Sequence, residues 1–257
     1  MIEMSEIDLS KYVPYTLKID QETSKISEAS GLNITYSTRT LFDIKDVIYD
    51  LDWLNAQREN IDLYYMYRDL TREQDKTLFK KYKIRFDITI IPPNKLGKEY
   101  VKTAGHFHPI IKNDIGYPEI YEVMHGKALY LLQKETKKKK DQIEIIIIPA
   151  KAGDQVLIPP SFGHVTVNPT TTDILVMNNL VSSEFNSKYD FIKKKNGAVY
   201  LYHTNETWIR NPTYKQKILV KEKSPLKLSE KPFYHSFLEN PEQWIFLNEP
   251  WKRNTWL

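Results

Sequence analysis

Hydrophobic and polar residues alternate with a period of two along most of this chain, the pattern of half-buried β-strands. In IRFDITIIPP, Ile84, Phe86, Ile88 and Ile90 fall on one face and Arg85, Asp87, Thr89 and Ile91 on the other. We expect the Thr89 face to turn inward. IDLYYMYRDL alternates likewise, with Tyr65 and Tyr67 on one face and Tyr64 and Met66 on the other. Further strands are read in IYEVMHGKALYLLQ, IEIIIIPAKAGD, QVLIPP, HVTVNPTTTDILVMNNL and VYLYHTNETWIRNPTYK, separated by proline and glycine. At least eight strands in close succession predict an all-β chain folded as a closed or double-sheet barrel.

Three stretches depart from that rhythm. Leu41, Ile44, Val47, Ile48, Leu51 and Leu54 follow three-four spacing, which predicts an amphipathic helix over Thr40 to Arg58; Thr71 to Tyr82 reads as a short helix or loop. Residues 14–36 read as a hairpin on the outside of the barrel. From about Lys215 the composition shifts, with four prolines and three of the five tryptophans. That is too apolar for a free tail, so residues 214–257 are expected to pack as an extension on the barrel of residues 1–213 or on a partner subunit.

Composition narrows the chemistry. At 257 residues the chain is long enough for a sizeable core, and with no cysteine it has neither a disulfide framework nor thiolate ligands. Histidine and carboxylate remain as metal-ligand types. The net charge of +4 is mild, and the lysines at 137–140 read as an exposed hairpin tip, so nucleic acid is not expected as a partner. The N-terminus lacks a basic start followed by an apolar run, and the isoleucines at 145–148 are far below spanning length, so a cytoplasmic protein without membrane contact is expected.

The chemistry concentrates in TAGHFHPIIKNDIGYPEIYEV. Extended backbone turns His106 and His108 to one side and Phe107 to the other. A neighbouring strand could bring Glu119 beside them, and His164 would arrive from PPSFGHVTVN. Three nitrogens and one oxygen suit a first-row divalent ion such as Fe, Mn, Ni or Zn, with two positions open for a chelating substrate if the ion is six-coordinate. Tyr121, two residues after Glu119, should share its face, where a phenol could position a sugar hydroxyl. His125 reads as a turn residue, and His203 and His235 show no partner pattern. A phosphate could rest on the hydroxyl and backbone at Thr103 and Gly105; the competing reading of Gly105 is that it relieves crowding.

GDQVLIPPSFGHVTVN resembles the second cupin motif, with Ser161 in place of its internal glycine; the first motif's HxH and Glu are present, but the gap from His108 to Glu119 is longer than usual. More closely, FDITIIPPNKLGKEYVKTAGHFHP, YPEIYEVMHGKALYLLQ and IPPSFGHVTVN resemble the cupin-type glucose-6-phosphate isomerases, from roughly Thr16 to Thr213. That resemblance implies a jelly-roll (double-stranded β-helix) cupin barrel with a few short helices and terminal extensions, forming a homodimer. It implies one divalent metal per chain, iron first, on His106, His108, Glu119 and His164, with Glu119 and Tyr121 catalytic. It also implies a phosphorylated hexose gripped by Thr103, Gly105, Thr89, Tyr64 and Tyr189; Ala104 stands where some members carry a lysine. The competing readings are an Fe(II) oxygenase and a non-catalytic phosphosugar-binding cupin.

Overall fold

Strand pairing sorts the chain into two main sheets facing each other across a common interior. The computed structural model describes residues 5–135 and 141–257. The larger sheet runs, in spatial order, Gln155–Ile158, Glu119–His125, Leu175–Ser182, Ile84–Ile91, Asp62–Tyr67, Ser37–Thr40; the smaller runs Gly163–Val167, Lys127–Glu135, Gln142–Lys151, Lys217–Glu222. Between Glu119 and Ser182 the chain passes repeatedly from one sheet to the other, which closes the jelly-roll barrel. The tightest of these crossings is Gly126, at φ +80°, where a Cβ would lie 2.4 Å from the carbonyl oxygen of Ile174. Only glycine fits both the conformation and the space.

The larger sheet is covered on both faces. Tyr64, Met66, Tyr121, Val123 and Met177 project into the barrel. Tyr65, Tyr67, Phe86, Ile88 and Ile90 point outward, yet they are buried too. Their cover comes from both ends of the chain. Leu17 and Ile19 belong to a small sheet of Glu6–Asp8, Leu17–Asp20 and Lys25–Ala29, which adds a strand to the expected hairpin. Phe233, Tyr234 and Phe237 come from the helix Phe233–Glu239, and Trp244, Phe246 and Leu247 from the 3-10 turn after it. Polar contacts fix the register of this cover. The buried Glu122, on the outer face, accepts from the Asn178 side chain (2.9 Å) and from Phe233 N–H (3.3 Å). Tyr234 donates to Asp75 (2.9 Å) and accepts from Arg72 N–H (2.9 Å).

Two segments differ from the sequence expectation. Residues 40–58 do not form one helix: a 3-10 turn, Phe42–Val47, gives way to extended backbone at Ile48, and a separate helix, Leu51–Ala56, starts at Asp50. Tyr49 N–H donates to Glu99 (2.8 Å), while the Asp50 side chain caps Trp53 N–H (3.2 Å). These bonds hold the break open. The apolar spacing continues past it, but Leu51 is 58% exposed. Beyond Lys215 the chain first adds Lys217–Glu222 to the smaller sheet, parallel to Gln142–Lys151. This edge strand leaves Leu219 and Val220 exposed, so no half-buried alternation marked it in the sequence.

Lys127–Glu135 and Gln142–Lys151 pair antiparallel, and the lysine tract between them lies outside the described residues. Among the described residues no helix is long and apolar enough to cross a membrane. Trp244 is 1% exposed, and its indole N–H meets no acceptor among the described residues. Trp244→Ala should therefore cost about 3–5 kcal/mol of stability, whereas Trp244→Phe should cost less than about 1.5 kcal/mol; chemical denaturation midpoints compare them.

Candidate metal centre

The two histidines of GHFH lie beside the Gly163–Val167 strand rather than in a regular strand of their own. His106 and His164 exchange backbone hydrogen bonds (His106 N–H to His164 O 3.2 Å, the reverse 3.0 Å), and Thr103 N–H donates to Thr166 O (2.9 Å). Gly105, at φ +74°, kinks the segment between these contacts; a Cβ there would lie 2.5 Å from the Val165 side chain. As alternation requires, Phe107 points away and lies against Gly163, where a Cβ would lie 2.4 Å from its ring. His106 and His108 point together, with their Nε2 atoms 3.2 Å apart.

Glu119 reaches the same point from the opposite sheet. Its Oε2 is 3.3 Å from Nε2 of both His108 and His164, and its Oε1 accepts from the Asn179 side chain (2.8 Å). One donor atom from each of the four residues lies within 4.8 Å of every other. His108 Nδ1–H donates to Tyr117 O (2.9 Å), which turns its Nε2 to the cluster. Burial, reinforced by the neighbouring histidines, holds His106 well below the usual imidazole range. Burial likewise holds His164 at about 4, against the opposing pull of Glu119. For Glu119 burial acts upward, but His108 and His164 outweigh it and keep the carboxyl below its usual value.

The four donor atoms thus face one another across short distances. Glu119 Oε2 is buried, and among the described residues its nearest polar neighbours are two imidazole nitrogens, each at 3.3 Å. Such a set needs a proton or a cation among it, and spacings near 3.3 Å are those between neighbouring ligands at bonds of about 2.1 Å. The residues fit a divalent metal ion.

The other residues selected from the sequence line the same cavity: Tyr64, Thr89, Thr103, Gly105, Tyr121 and Tyr189. Tyr121 Oη lies 3.3 Å from His164 Nε2, and burial, then the Glu119 charge, push its phenol well above the usual range. Tyr64 Oη accepts from Ala104 N–H (3.2 Å) and Thr103 Oγ1 from Thr166 N–H (3.0 Å). Tyr189 sits between the His106 ring (5.4 Å) and the Arg39 guanidinium (5.4 Å). His125 stays outside the cluster at a strand end, and His203 Nδ1 accepts locally from Asn205 N–H (3.1 Å).

Sequence reasoning missed several polar neighbours of the site, among them Arg39, Arg68, Arg85 and Asn179. Arg85 carried a signal, because alternation already placed it on the Thr89 face. Arg39 pairs across from Tyr64 and Asn179 across from Tyr121. Only the strand pairing reveals those two.

The long gap from His108 to Glu119 holds a small hairpin, Ile110–Lys112 with Ile115–Gly116, turned by Asn113 and Asp114 at φ +49° and +61°. Ser161, standing where the motif has glycine, is itself at φ +65°. Its hydroxyl donates to Asp114 O and accepts from Gly116 N–H (both 3.0 Å), tying this hairpin to the turn before His164. Ser161→Ala removes both bonds and keeps the left-handed strain, so it should lower stability by about 1–3 kcal/mol. Ser161→Gly relieves strain of about 1–2 kcal/mol, and its unfolding midpoint should lie nearer the unsubstituted protein's.

Residues 38–218 match the family model described as glucose-6-phosphate isomerase (GPI). The glucose-6-phosphate isomerase of Thermococcus onnurineus is 32% identical over 71% of this chain and 85% of its own length. That of Pyrococcus horikoshii is 32% identical over 60% of this chain and 72% of its own. A solved vicilin from Corylus avellana (hazelnut) overlaps 60% of this chain and 33% of its own at 12% identity, with a TM-score of 0.36.

Proposed function

The chain belongs to the glucose-6-phosphate isomerase family, and from that premise we propose how its own residues interconvert glucose 6-phosphate and fructose 6-phosphate. The reaction is an aldose–ketose isomerisation, moving hydrogen between C1 and C2 of the open-chain sugar. The observation that carries our reading is the convergence of four lone-pair donors in a cavity also bordered by hydroxyls. His106, His108, Glu119 and His164 would hold one divalent ion, iron in the first instance. Lewis-acid polarisation of the sugar's C1 and C2 oxygens is the chemistry such an ion supplies when bound.

The protein's own groups orient the sugar. Tyr121 stays protonated, because burial penalises its phenolate, so it can donate to a sugar oxygen beside His164. Glu119 is poorly placed as a base: Asn179 holds one oxygen, and the other faces the histidines. This favours Glu119 as a ligand, with hydrogen passing directly between C1 and C2, over abstraction by its carboxylate. At the phosphate end, the hydroxyls of Thr103 and Tyr64 each accept a backbone N–H, which leaves each hydrogen free to donate to an anion. Thr89, Tyr189 and Gly105 complete that end of the cavity.

Chelation should abolish turnover of glucose 6-phosphate in a coupled assay, and added iron should restore it. A His106→Ala, His164→Ala double variant should retain no metal by elemental analysis; retention would refute the assignment. Thr103→Val removes one charge-assisted donor, so catalytic efficiency should fall about ten- to a hundredfold with metal content unchanged. Turnover of free glucose equal to that of its 6-phosphate would contradict the phosphate end.

A further inference from the structure

The cavity carries a second polar feature that the reaction as described does not use. On its floor, Asp87 is fully buried and receives Asp69 N–H (2.9 Å), Arg68 (2.6 Å) and both bonds of a shared Arg85 Nε–H (2.8 Å each). One guanidinium would neutralise this carboxylate; two converge on it. Arg85 uses only its Nε–H there, and its terminal nitrogens meet no acceptor among the described residues. Both arginines border the cavity of the histidine cluster, and their side chains are 45% and 28% exposed. Two further acids lie nearby, Asp69, exposed to solvent beside Arg85, and Glu119, turned to the histidines; neither hydrogen-bonds the guanidiniums among the described residues.

Strand register places this pair relative to the substrate. Thr89, Asp87 and Arg85 succeed one another on the inward face of one strand, so Arg85 lies about 13 Å along the sheet from Thr89. Across the sheet, Asp87 pairs with Asn179 and Asn179 with Tyr121, while Arg85 pairs with Val181 and Val181 with Glu119. The arginines therefore lie level with Glu119 and Tyr121. Thr89 lies toward the other end, where Tyr64 meets the Thr103–Gly105 segment. A sugar with its 6-phosphate at that end directs C1 toward the arginines.

We propose that Arg68 and Arg85, clamped on Asp87, seat a second anionic group at the metal end, so that the cavity takes a hexose carrying a phosphate at each end as a ligand competing with the 6-phosphate substrate. The chemistry is that of guanidinium forks: planar N–H pairs recognise two oxygens of an oxyanion, and a buried carboxylate fixes their orientation beforehand. The proposal rests on the isomerase reading for the placement of the 6-phosphate.

The test measures inhibition of glucose 6-phosphate isomerisation by D-fructose 1,6-bisphosphate in the metal-loaded full chain, with KM for glucose 6-phosphate determined alongside. Arg68→Gln and Arg85→Gln should each raise the ratio of Ki to KM by about tenfold, and Arg85→Lys, which keeps the charge without the fork, should fall between. Thr103→Val should raise Ki and KM together. A ratio unchanged in both glutamine variants overturns the proposal, as does KM rising in step with Ki, which would assign the arginines to the substrate's own phosphate. Thermal unfolding and metal content identify a variant damaged through Asp87, and Arg85→Lys then decides. Calorimetric binding of the bisphosphate separates the two readings. A protein that binds it through the arginines but turns over no glucose 6-phosphate keeps the seat and loses the isomerase; one that turns over glucose 6-phosphate but binds no bisphosphate does the reverse.

Discussion

Four lone-pair donors are held face to face inside the barrel, and much of the surrounding structure serves to keep them there. Three come from two adjacent segments of one side, and the fourth crosses from the opposite sheet. Left alone, imidazoles and a carboxylate at such distances would turn to water or to other partners. They cannot, because Tyr117 holds the His108 ring, Asn179 holds Glu119, and the His106–His164 backbone bridge fixes two imidazoles at once. Preorganisation of this kind removes the cost of gathering the ligands when a cation binds.

That precision depends on a rigid larger sheet, and the sheet is rigid because it is buried on both faces. An open jelly roll would leave the Phe86, Ile88 and Ile90 face to solvent. Here the N-terminal sheet and the C-terminal helix cover it, with Glu122 and Asp75 accepting hydrogen bonds from the C-terminal cover. Residues far from the chemistry in sequence therefore back the strand that carries Glu119. Glu122 shows the link directly, since it lies on the same strand and points the other way.

The cavity itself is unevenly charged. Its middle holds the histidines and Glu119, one end is bordered by hydroxyls and backbone, and the floor near Glu119 carries two guanidiniums on a buried carboxylate. Hydroxyls and amides select by geometry, whereas guanidinium adds long-range attraction for anions. The cavity thus presents two kinds of polar contact, hydroxyls and amides at one end and guanidiniums beside the histidine cluster.

The sequence alone determined most of the strands, because a period of two survives wherever one face meets a core, and it singled out His106, His108, Glu119 and His164, which the fold brings together, because HxH, PEIYEV and PPSFGH each carry their own local chemistry. Alternation also placed Thr89 inward; in IDLYYMYRDL it separated Tyr64 from Tyr65 and left to the fold which of the two faces the cavity. Tertiary structure decided what local pattern cannot express. The break at Ile48 is set by Glu99, a residue about fifty positions away, so apolar spacing ran on through it as though a helix continued. The strand Lys217–Glu222 exists because Gln142–Lys151 offers it an edge, and its exposed side chains record nothing of that pairing. The grouping of Arg68, Asp87, Asn179 and Tyr121 likewise arises only when four strands align. Alternation fixes which side a residue faces, and hydrogen-bond register between distant strands fixes which residues it meets there.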